Sequence, residues 1–462
     1  MHRIRSACAR QRRAVRRGVE SSDAYAFFNM LTAAESFDQL EALLPAHRER
    51  LFPPTQALSM FMAQALNADR SCQKAVNDAA SKRVAGGLSA CSTHTGGYCR
   101  ARKRLPEAMV STLVRDTGRT MTVQSPASWH WQGRPVRLVD GTTVPMPDTA
   151  ANQAVYPQSC TQQPGLGFPL CRLVALTCLS SGAVLDAAIG RYQGKGGDEQ
   201  SLLRSMLDRL GAGDILLGDA LFATYFLLCE LRRRGVDGVF EQYGARRCRT
   251  DFRCGRRLGQ RDHVIEIAKP NIKPPWMSAD DYALAPDRLA VRELRAGGKT
   301  LVTTLLCDKQ TPKAALKALY QRRWQVELDL RNLKTVLGME MLSCKTPDMA
   351  TKEIWVYLLA YNLIRRTMAR AALHSGTPPR LLSFKHTLQL WLAWHQCGLD
   401  RGSEDELTTL LMLIAQKRIG NRSGRMEPRA VKRRPKPFPL LTVPRQLARE
   451  VVRKMGHPKR LK

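Results

Sequence analysis

DILLGDALFATYFLLCELRRRGVDGVF, residues 214–240, holds the pattern around which the rest of the fold is read. Residues 214–219 form a short apolar run that ends on an acid, Asp219, and residues 236–240 form a second apolar run. Between them, residues 222–234 have the length and the apolar spacing of an amphipathic helix. The stretch therefore predicts a strand, a helix and another strand, with Asp219 at the end of the first strand.

Three more short strands are predicted upstream. Residues 135–140 (PVRLVD) read as a buried strand that ends on Asp140, and residues 171–179 and 183–189 read as a hairpin joined by a Ser-Ser-Gly turn. An amphipathic helix is expected over residues 199–210. The order strand-strand-strand-helix-strand-helix-strand predicts an α/β fold, with an RNase H-like mixed sheet flanked by helices.

Changes in composition and in the pattern of apolar residues divide the chain into five regions. They are a basic arm with a helical domain (1–133), the first part of the sheet core (134–244), a basic β-rich insertion (245–305), the second part of the core (306–372), and a helical region with a basic C-terminal tail (373–462). The tail includes the run Lys432–Pro437 and is expected to be extended and to bind phosphates.

The net positive charge of the chain indicates what kind of partner it binds. The 462 residues include 73 Lys and Arg against 40 Asp and Glu, a formal net charge of +33, which favours a polyanion such as DNA or, as the alternative, an anionic membrane surface. The longest strongly apolar run, residues 354–364, is too short for a spanning helix, which needs about twenty residues. It predicts a buried core helix in a soluble, cytoplasmic protein.

The Arg-rich start (3–17) suits a DNA-binding arm or, alternatively, a transit peptide.

The N-terminal region contains a candidate DNA-binding element. Pro53 and Pro54 suit the start of a helix, a Gly-Gly break follows at residues 86–87, and Ser92 and Thr93 can cap a short basic helix. The outline fits a helix-turn-helix reader, and an ordinary helical bundle with a solvated basic face is the alternative. In the first case the DNA contacts would come from Arg100, Arg102, Lys103 and Arg104.

The cysteines do not predict a zinc site. Cys91, His94 and Cys99 lack a fourth ligand, and Cys248 and Cys254 lie among arginines. Structural zinc sites show four ligands in paired spacings, so we expect no metal at either cluster.

Residues 320–334, YQRRWQVELDLRNLK, concentrate the groups suited to phosphate chemistry. Taken as one helix at about 100° per residue, they place four polar side chains within about 60° of one another, beside an apolar stripe. The four are Tyr320, Arg323, Glu327 and Lys334. Together with Asp140 and Asp219 at strand ends, Glu327 would complete a set of three carboxylates that bind two Mg²⁺ or Mn²⁺ ions. Singly, each acid also suits a turn, a helix cap or a surface ion pair.

The spacing Tyr-x2-Arg-x3-Glu-x6-Lys resembles the signature of bacterial insertion-sequence transposases of the IS4 family. Asp140-Gly141-Thr142-Thr143 resembles the region of the first catalytic Asp in that family, and Gly218-Asp219 resembles the second. The resemblance covers roughly residues 50–440. A departure is Ala220, where many relatives have Arg.

The resemblance implies a DDE transposase with a β insertion before the helix that carries the catalytic Glu. Asp140, Asp219 and Glu327 would bind the metal ions, and Tyr320, Arg323 and Lys334 would contact the DNA backbone. The implied reaction is hydrolysis at the element ends followed by attack of the freed 3′-OH on target DNA, by a homodimer on double-stranded DNA at the nucleoid. The alternatives are a nuclease without strand transfer and an inactive or domesticated DNA-binding derivative.

Overall fold

A computed structural model of the chain describes residues 51–85, 87, 89–194, 196–242, 250–396, 404–420 and 441–456. Its centre is one nine-stranded mixed sheet in the order β3-β2-β1-β4-β5-β9-β8-β7-β6. The strands are β1 (Val136–Pro145), β2 (Leu170–Cys178), β3 (Val184–Arg191), β4 (Ile215–Gly218), β5 (Asp237–Glu241), β6 (Arg256–Gly259), β7 (Asp262–Ala268), β8 (Arg288–Ala296) and β9 (Lys299–Thr303). The α/β class and the mixed sheet flanked by helices are thus confirmed.

Fourteen α-helices lie in the described ranges. They are α1 (Pro54–Leu66), α2 (Cys72–Ala85), α3 (Gly96–Arg104), α4 (Glu107–Val123), α5 (Ala150–Val155), α6 (Glu199–Arg204), α7 (Tyr225–Arg233), α8 (Ala279–Leu284), α9 (Lys313–Gln321), α10 (Trp324–Arg331), α11 (Pro347–Ser375), α12 (Phe384–Gln396), α13 (Glu404–Gln416) and α14 (Arg445–Met455). No helix among these residues is both long enough and apolar enough to cross a bilayer.

The hairpin predicted before Asp219 is present. β2 and β3 pair antiparallel, and Gly182 in their turn has a φ of +79°, which suits a residue without a Cβ. β1 pairs antiparallel with β2 and parallel with β4, and β4 pairs parallel with β5. Strand boundaries differ from the predictions by one or two residues, except at the end of β1. That strand continues to Pro145 because it stays paired with β2, so Asp140 lies within the strand and not at its end.

The segment predicted as a β-rich insertion extends the main sheet. β9 pairs antiparallel with β5, through Val239 opposite Thr303, and β8, β7 and β6 follow outward. The apolar runs at residues 264–267, 289–294 and 300–305 predict three strands, which correspond to β7, β8 and β9, and no such pattern predicts β6. Residues 243–249, with part of the arginine-rich run and Cys248, lie outside the described residues.

Both faces of the sheet are covered by helices. On one face, α4 and α11 pack on β3, and the run 354–364 within α11 is fully buried, which confirms the predicted core helix. Also on this face, Leu138 and Leu217 pack with Leu319 of α9 and Val326 of α10. The opposite face is covered by α6 and α7. The sheet core is therefore closed on both sides around β1, which carries Asp140, and β4, which ends just before Asp219.

Several local predictions need correction. The helix expected over residues 199–210 is α6 followed by a separate 3₁₀ turn at Leu207–Arg209. Thr95, not Ser92 or Thr93, precedes α3, and it makes no side-chain cap. In the basic tail, α14 is helical where an extended chain was expected, while residues 421–440 and 457–462, like the N-terminal arm, lie outside the described residues.

Candidate active site

Asp140 and Asp219 are brought together by the parallel pairing of β1 with β4. Leu138 lies opposite Leu217; Asp140 is two residues further along β1, and Asp219 directly follows the end of β4. Asp219 then starts a short 3₁₀ turn, and its Oδ1 accepts a hydrogen bond from the Leu221 amide at 2.9 Å. The charge of Asp219 raises the pKa of the Asp140 carboxyl, as a nearby like charge does.

Arg323 links Asp140 to the third predicted acid. Its Nη2 donates to Glu327 Oε1 at 2.7 Å, and its Nη1 lies 3.9 Å from Asp140 Oδ2. The guanidinium is only 17% exposed, so water screens these pairs weakly. Asp140, Asp219, Arg323 and Glu327 thus form one cluster, in which a positive group stands between two of the acids.

The environment of Asp140 opposes ionisation. Burial raises the pKa of its carboxyl to about 6, against the lowering by the Gly141 amide hydrogen bond and by Arg323, and the charges of Asp219 and Glu199 raise the pKa further. An acid that is costly to ionise in the free protein gains more than an exposed acid does when a cation arrives.

The predicted single helix over residues 320–334 is broken. α9 ends at Gln321 and α10 begins at Trp324, because the amides of Arg322 and Arg323 bond three residues back, as in a 3₁₀ turn. A π-helical turn, Asn332–Val336, follows α10. The even 100° spacing therefore does not hold across the segment, and Tyr320 and Glu327 belong to different helices.

Tyr320 and Lys334 nevertheless reach the same region. Tyr320 is buried, its hydroxyl has no hydrogen-bond partner within the described ranges, and burial raises its pKa to about 12. It interacts electrostatically with Arg323 and Asp219. Lys334 Nζ donates to Thr142 Oγ1 at 3.3 Å and to the Thr143 carbonyl at 3.1 Å, just beyond Asp140 on β1. Arg323, Glu327 and Lys334 thus lie beside β1, whereas Tyr320 lies near Asp219 and Glu241 at the ends of β4 and β5.

Asp329, two residues after Glu327, was missed by sequence reasoning. It is fully buried, and its carboxylate accepts hydrogen bonds from Tyr361, Arg365 and Arg380. Arg380 also donates to the carbonyls of β2 and the turn after it, and the single hydroxyl proton of Tyr361 is shared between Asp329 and the Gly182 carbonyl, both at 2.9 Å. This network attaches the helix of Glu327 to α11 and to the β2–β3 hairpin. Its only sequence signal was an acid at an otherwise apolar position.

Glu199 was also missed. It is the first residue of α6, and its carboxylate lies against the backbone of Gly141, beside Asp140. The sequence indicated Glu199 only indirectly. Gly141, directly after Asp140, leaves room for another side chain, but an Asp-Gly pair is equally typical of an ordinary turn.

The donor set fits a hard divalent cation. All candidate ligands are carboxylate oxygens, the type that Mg²⁺ and Mn²⁺ prefer, and the Arg323 guanidinium shows that positive charge is accommodated between Asp140 and Glu327. The set is not closed: in the described part of the chain, no three His, Cys, Asp or Glu side chains stand together closely enough to hold one ion. Glu327 is engaged by Arg323.

The basic helix α3 departs from prediction at one residue. Arg102 is buried, with its guanidinium donating to Gln64 at 3.1 Å and to the Cys72 sulfur at 3.2 Å, and stacking over Phe61 and Tyr98. It is a core residue of the helical domain and is not available to DNA, because an amphipathic helix must bury one face. Its three basic neighbours are exposed: Arg100, Lys103 and Arg104.

Comparisons with known proteins place the chain among transposases. Residues 131–363 match the family model described as the transposase DDE domain. The transposase InsG of insertion sequence element IS4, from Escherichia coli K12, is 27% identical over 349 residues, 74% of this chain and 77% of the relative. The putative transposase InsZ of the same organism is 30% identical over 139 residues, 30% of this chain and 46% of the relative.

Among solved structures, the piggyBac transposase synaptic complex with hairpin DNA aligns with 89% of this chain and 88% of its own, at 10% identity and a TM-score of 0.42. The family model spans half of the chain and includes all three candidate acids. The protein belongs to the DDE transposases of the IS4 family.

Proposed function

We propose that this transposase cuts DNA at the ends of its insertion sequence and joins the 3′-OH ends to target DNA by metal-dependent phosphoryl transfer. Asp140, Asp219 and Glu327 would bind the ions. The observation that carries the proposal is the convergence of Asp140, Asp219, Arg323 and Glu327 inside the region that matches the DDE domain. The strand order 3-2-1-4-5 in the first half of the sheet, with its antiparallel and parallel pairs, supports an RNase H-like core.

The family generally uses divalent metal ions, and two would serve here. Such ions activate a water or a 3′-OH and stabilise the leaving oxygen. Asp140 and Asp219 are placed to act from adjacent strands. Glu327 would join them once the Arg323 guanidinium turns from its carboxylate to a DNA phosphate, a ligand that Arg binds in bidentate fashion.

Other side chains around β1 suit the DNA backbone. Lys334 could exchange the Thr143 carbonyl for a phosphate oxygen, and the unpartnered Tyr320 hydroxyl could donate to one. The exposed Arg100, Lys103 and Arg104 of α3 would add contacts outside the site. Because two element ends must be cut and joined together, the working form would be a homodimer on double-stranded DNA, in the cytoplasm at the nucleoid.

The test uses purified full-length protein, a DNA fragment with the sequences that flank the gene, and Mg²⁺ or EDTA. We expect Asp140→Ala, Asp219→Ala and Glu327→Ala each to lose cleavage and joining by at least about a hundredfold, because each removes a charged ligand. The matched control is Asp208→Ala, an acid 83% exposed in its side chain and outside the site. Three variants that cleave and join like the parent would refute the assignment. Cleavage without joined product would identify a nuclease.

A further inference from the structure

Glu199 has an unusual place beside the candidate site. An added Cβ on Gly141 would lie 2.3 Å from Glu199 Cδ and 2.4 Å from its Oε1. No side chain can occupy that space while Glu199 is there, so the glycine lets the carboxylate approach the backbone of β1 directly after Asp140. Helix α6, capped by Asp198, holds Glu199 in this position.

The Glu199 carboxylate has no direct partner. Among the described residues, no hydrogen bond or ion pair engages it, although its side chain is half-buried. Other buried acids of the chain are paired: Asp186 with Arg115 and Arg209, and Asp329 with two arginines. A half-buried carboxylate without a partner costs folding free energy, which a cation would recover.

The surrounding charges are also negative. Glu199 interacts electrostatically with Asp219, and Asp140 interacts with both. Positive charge comes from three side chains: Arg323, at 3.9 Å from Asp140, Arg172, which lowers the pKa of Glu199, and Lys334, which binds Thr142 and Thr143. They stand against four carboxylates when Glu327 is included. Arg323 is shared with Glu327, so negative charge is in excess around Asp140.

We propose that Glu199 is a fourth carboxylate of the catalytic metal site, which holds the hydrated divalent ion beside Asp140 and Asp219. The proposal rests on the function proposed above. Mg²⁺ dehydrates reluctantly and keeps several of its waters in protein sites. A carboxylate can therefore bind the ion through one of those waters, without joining a closed ligand set.

Direct ion binding tests the role without relying on turnover. Mn²⁺ is titrated into the full-length protein, with and without the DNA fragment, and free Mn²⁺ is followed by electron paramagnetic resonance. We expect Glu199→Gln to weaken Mn²⁺ binding by about 10–100-fold, the effect typical of outer ligands. The matched control Asp198→Asn removes the same charge one residue away and keeps the helix cap, so its affinity should change less than about threefold.

A second variant separates a role in ion binding from a role in packing. Gly141→Ala should push the Glu199 carboxylate away from β1 and weaken Mn²⁺ binding to a similar degree. The double variant with Glu199→Gln should then be no weaker than either single variant, because both changes remove one interaction. Glu199→Gln that binds Mn²⁺ like the parent overturns the proposal.

The failure of this proposal and that of the proposed function give different results. If Asp140→Asn loses Mn²⁺ binding and Glu199→Gln does not, the catalytic site stands and Glu199 has only a packing role. If Asp140→Asn binds Mn²⁺ like the parent, or the parent binds none with or without DNA, the metal site itself is wrongly placed and both proposals fall.

Discussion

Asp329→Asn tests whether the buried network holds the helix of Glu327 in place. The substitution keeps the size of the side chain and removes its charge from between Arg365 and Arg380, whose side chains are 4% and 8% exposed. Asp329 Oδ1 lies 2.9 Å from the Tyr361 hydroxyl and accepts hydrogen bonds from Arg365 at 2.7 Å and Arg380 at 2.5 Å, and Oδ2 accepts one from Arg380 at 2.9 Å. Whichever oxygen the amide NH₂ of Asn replaces, it faces at least one of these donors. Two guanidinium groups are thus left buried without their carboxylate.

The expected cost follows from burial. Removing one partner of a buried ion pair costs about 3–5 kcal/mol, because the other charge stays desolvated. Arg380 keeps its bonds to the Cys178 and Leu179 carbonyls, and Arg365 keeps its bond to Tyr361, so we do not expect a cost above this range. The loss should appear first in α10, which the network attaches to α11 and the hairpin.

Hydrogen exchange measures that local stability. In peptides that cover residues 324–331, Asp329→Asn should lower amide protection by about two to four orders of magnitude, the equivalent of the lost free energy. Asp208→Asn is the control: it breaks an ion pair with Arg234 in which Asp208 is 83% exposed, and should cost under about 1 kcal/mol. Protection within threefold of the parent for Asp329→Asn would refute the anchoring role.

Two further predictions concern the free energy of unfolding, the first of them in the absence of metal. Burial raises the pKa of Asp140 from 3.8 to about 6, so the folded state binds this proton more tightly than the unfolded chain does, and stability falls as pH rises from about 4 to about 6, by about 3 kcal/mol. In EDTA at pH 7.5, Asp140→Asn should therefore unfold at a higher urea concentration than the parent. At pH 5 the gain in the free energy of unfolding should be about half as large. An unchanged urea midpoint at pH 7.5 contradicts the argument. Gly118→Ala should cost about 1–3 kcal/mol, because its Cβ would lie 2.4 Å from the Val184 carbonyl oxygen on β3. The control Gly96→Ala meets only the flexible end of Arg100, at 3.7 Å, and a loss equal to that of Gly118→Ala would show that α4 does not pack as described.

Local pattern was sufficient for most elements of the core. The strands around residues 136–139, 171–178 and 184–189, the core helix within α11 and the hairpin all follow from apolar runs and turn residues, whose physical origin is the neighbouring sequence. The spacing of Tyr320, Arg323, Glu327 and Lys334 was also readable, since it is a property of the chain alone. On these residues rested the resemblance to IS4-family transposases, which the family match confirms.

Contacts between distant segments decided the rest. β1 runs on through Asp140 because Ala175 of β2, 35 residues along the chain, stays paired with it. The arginine-rich insertion joins the main sheet through β9 and β5. The exposure of a charged side chain is likewise set by what packs against it. Arg102 is enclosed by α1 and α2, and Asp329 meets arginines more than thirty residues away.

The sequence by itself determined the class of protein, the main strands and the acids to examine. The tertiary structure alone showed that the strand of Asp140 pairs parallel with the strand that ends just before Asp219. It also showed that Arg323 stands between Asp140 and Glu327, and that Glu199 approaches through the space left by Gly141. The physical reason is that a periodic pattern reports which face of an element is buried, whereas the partner of a charge depends on which elements meet.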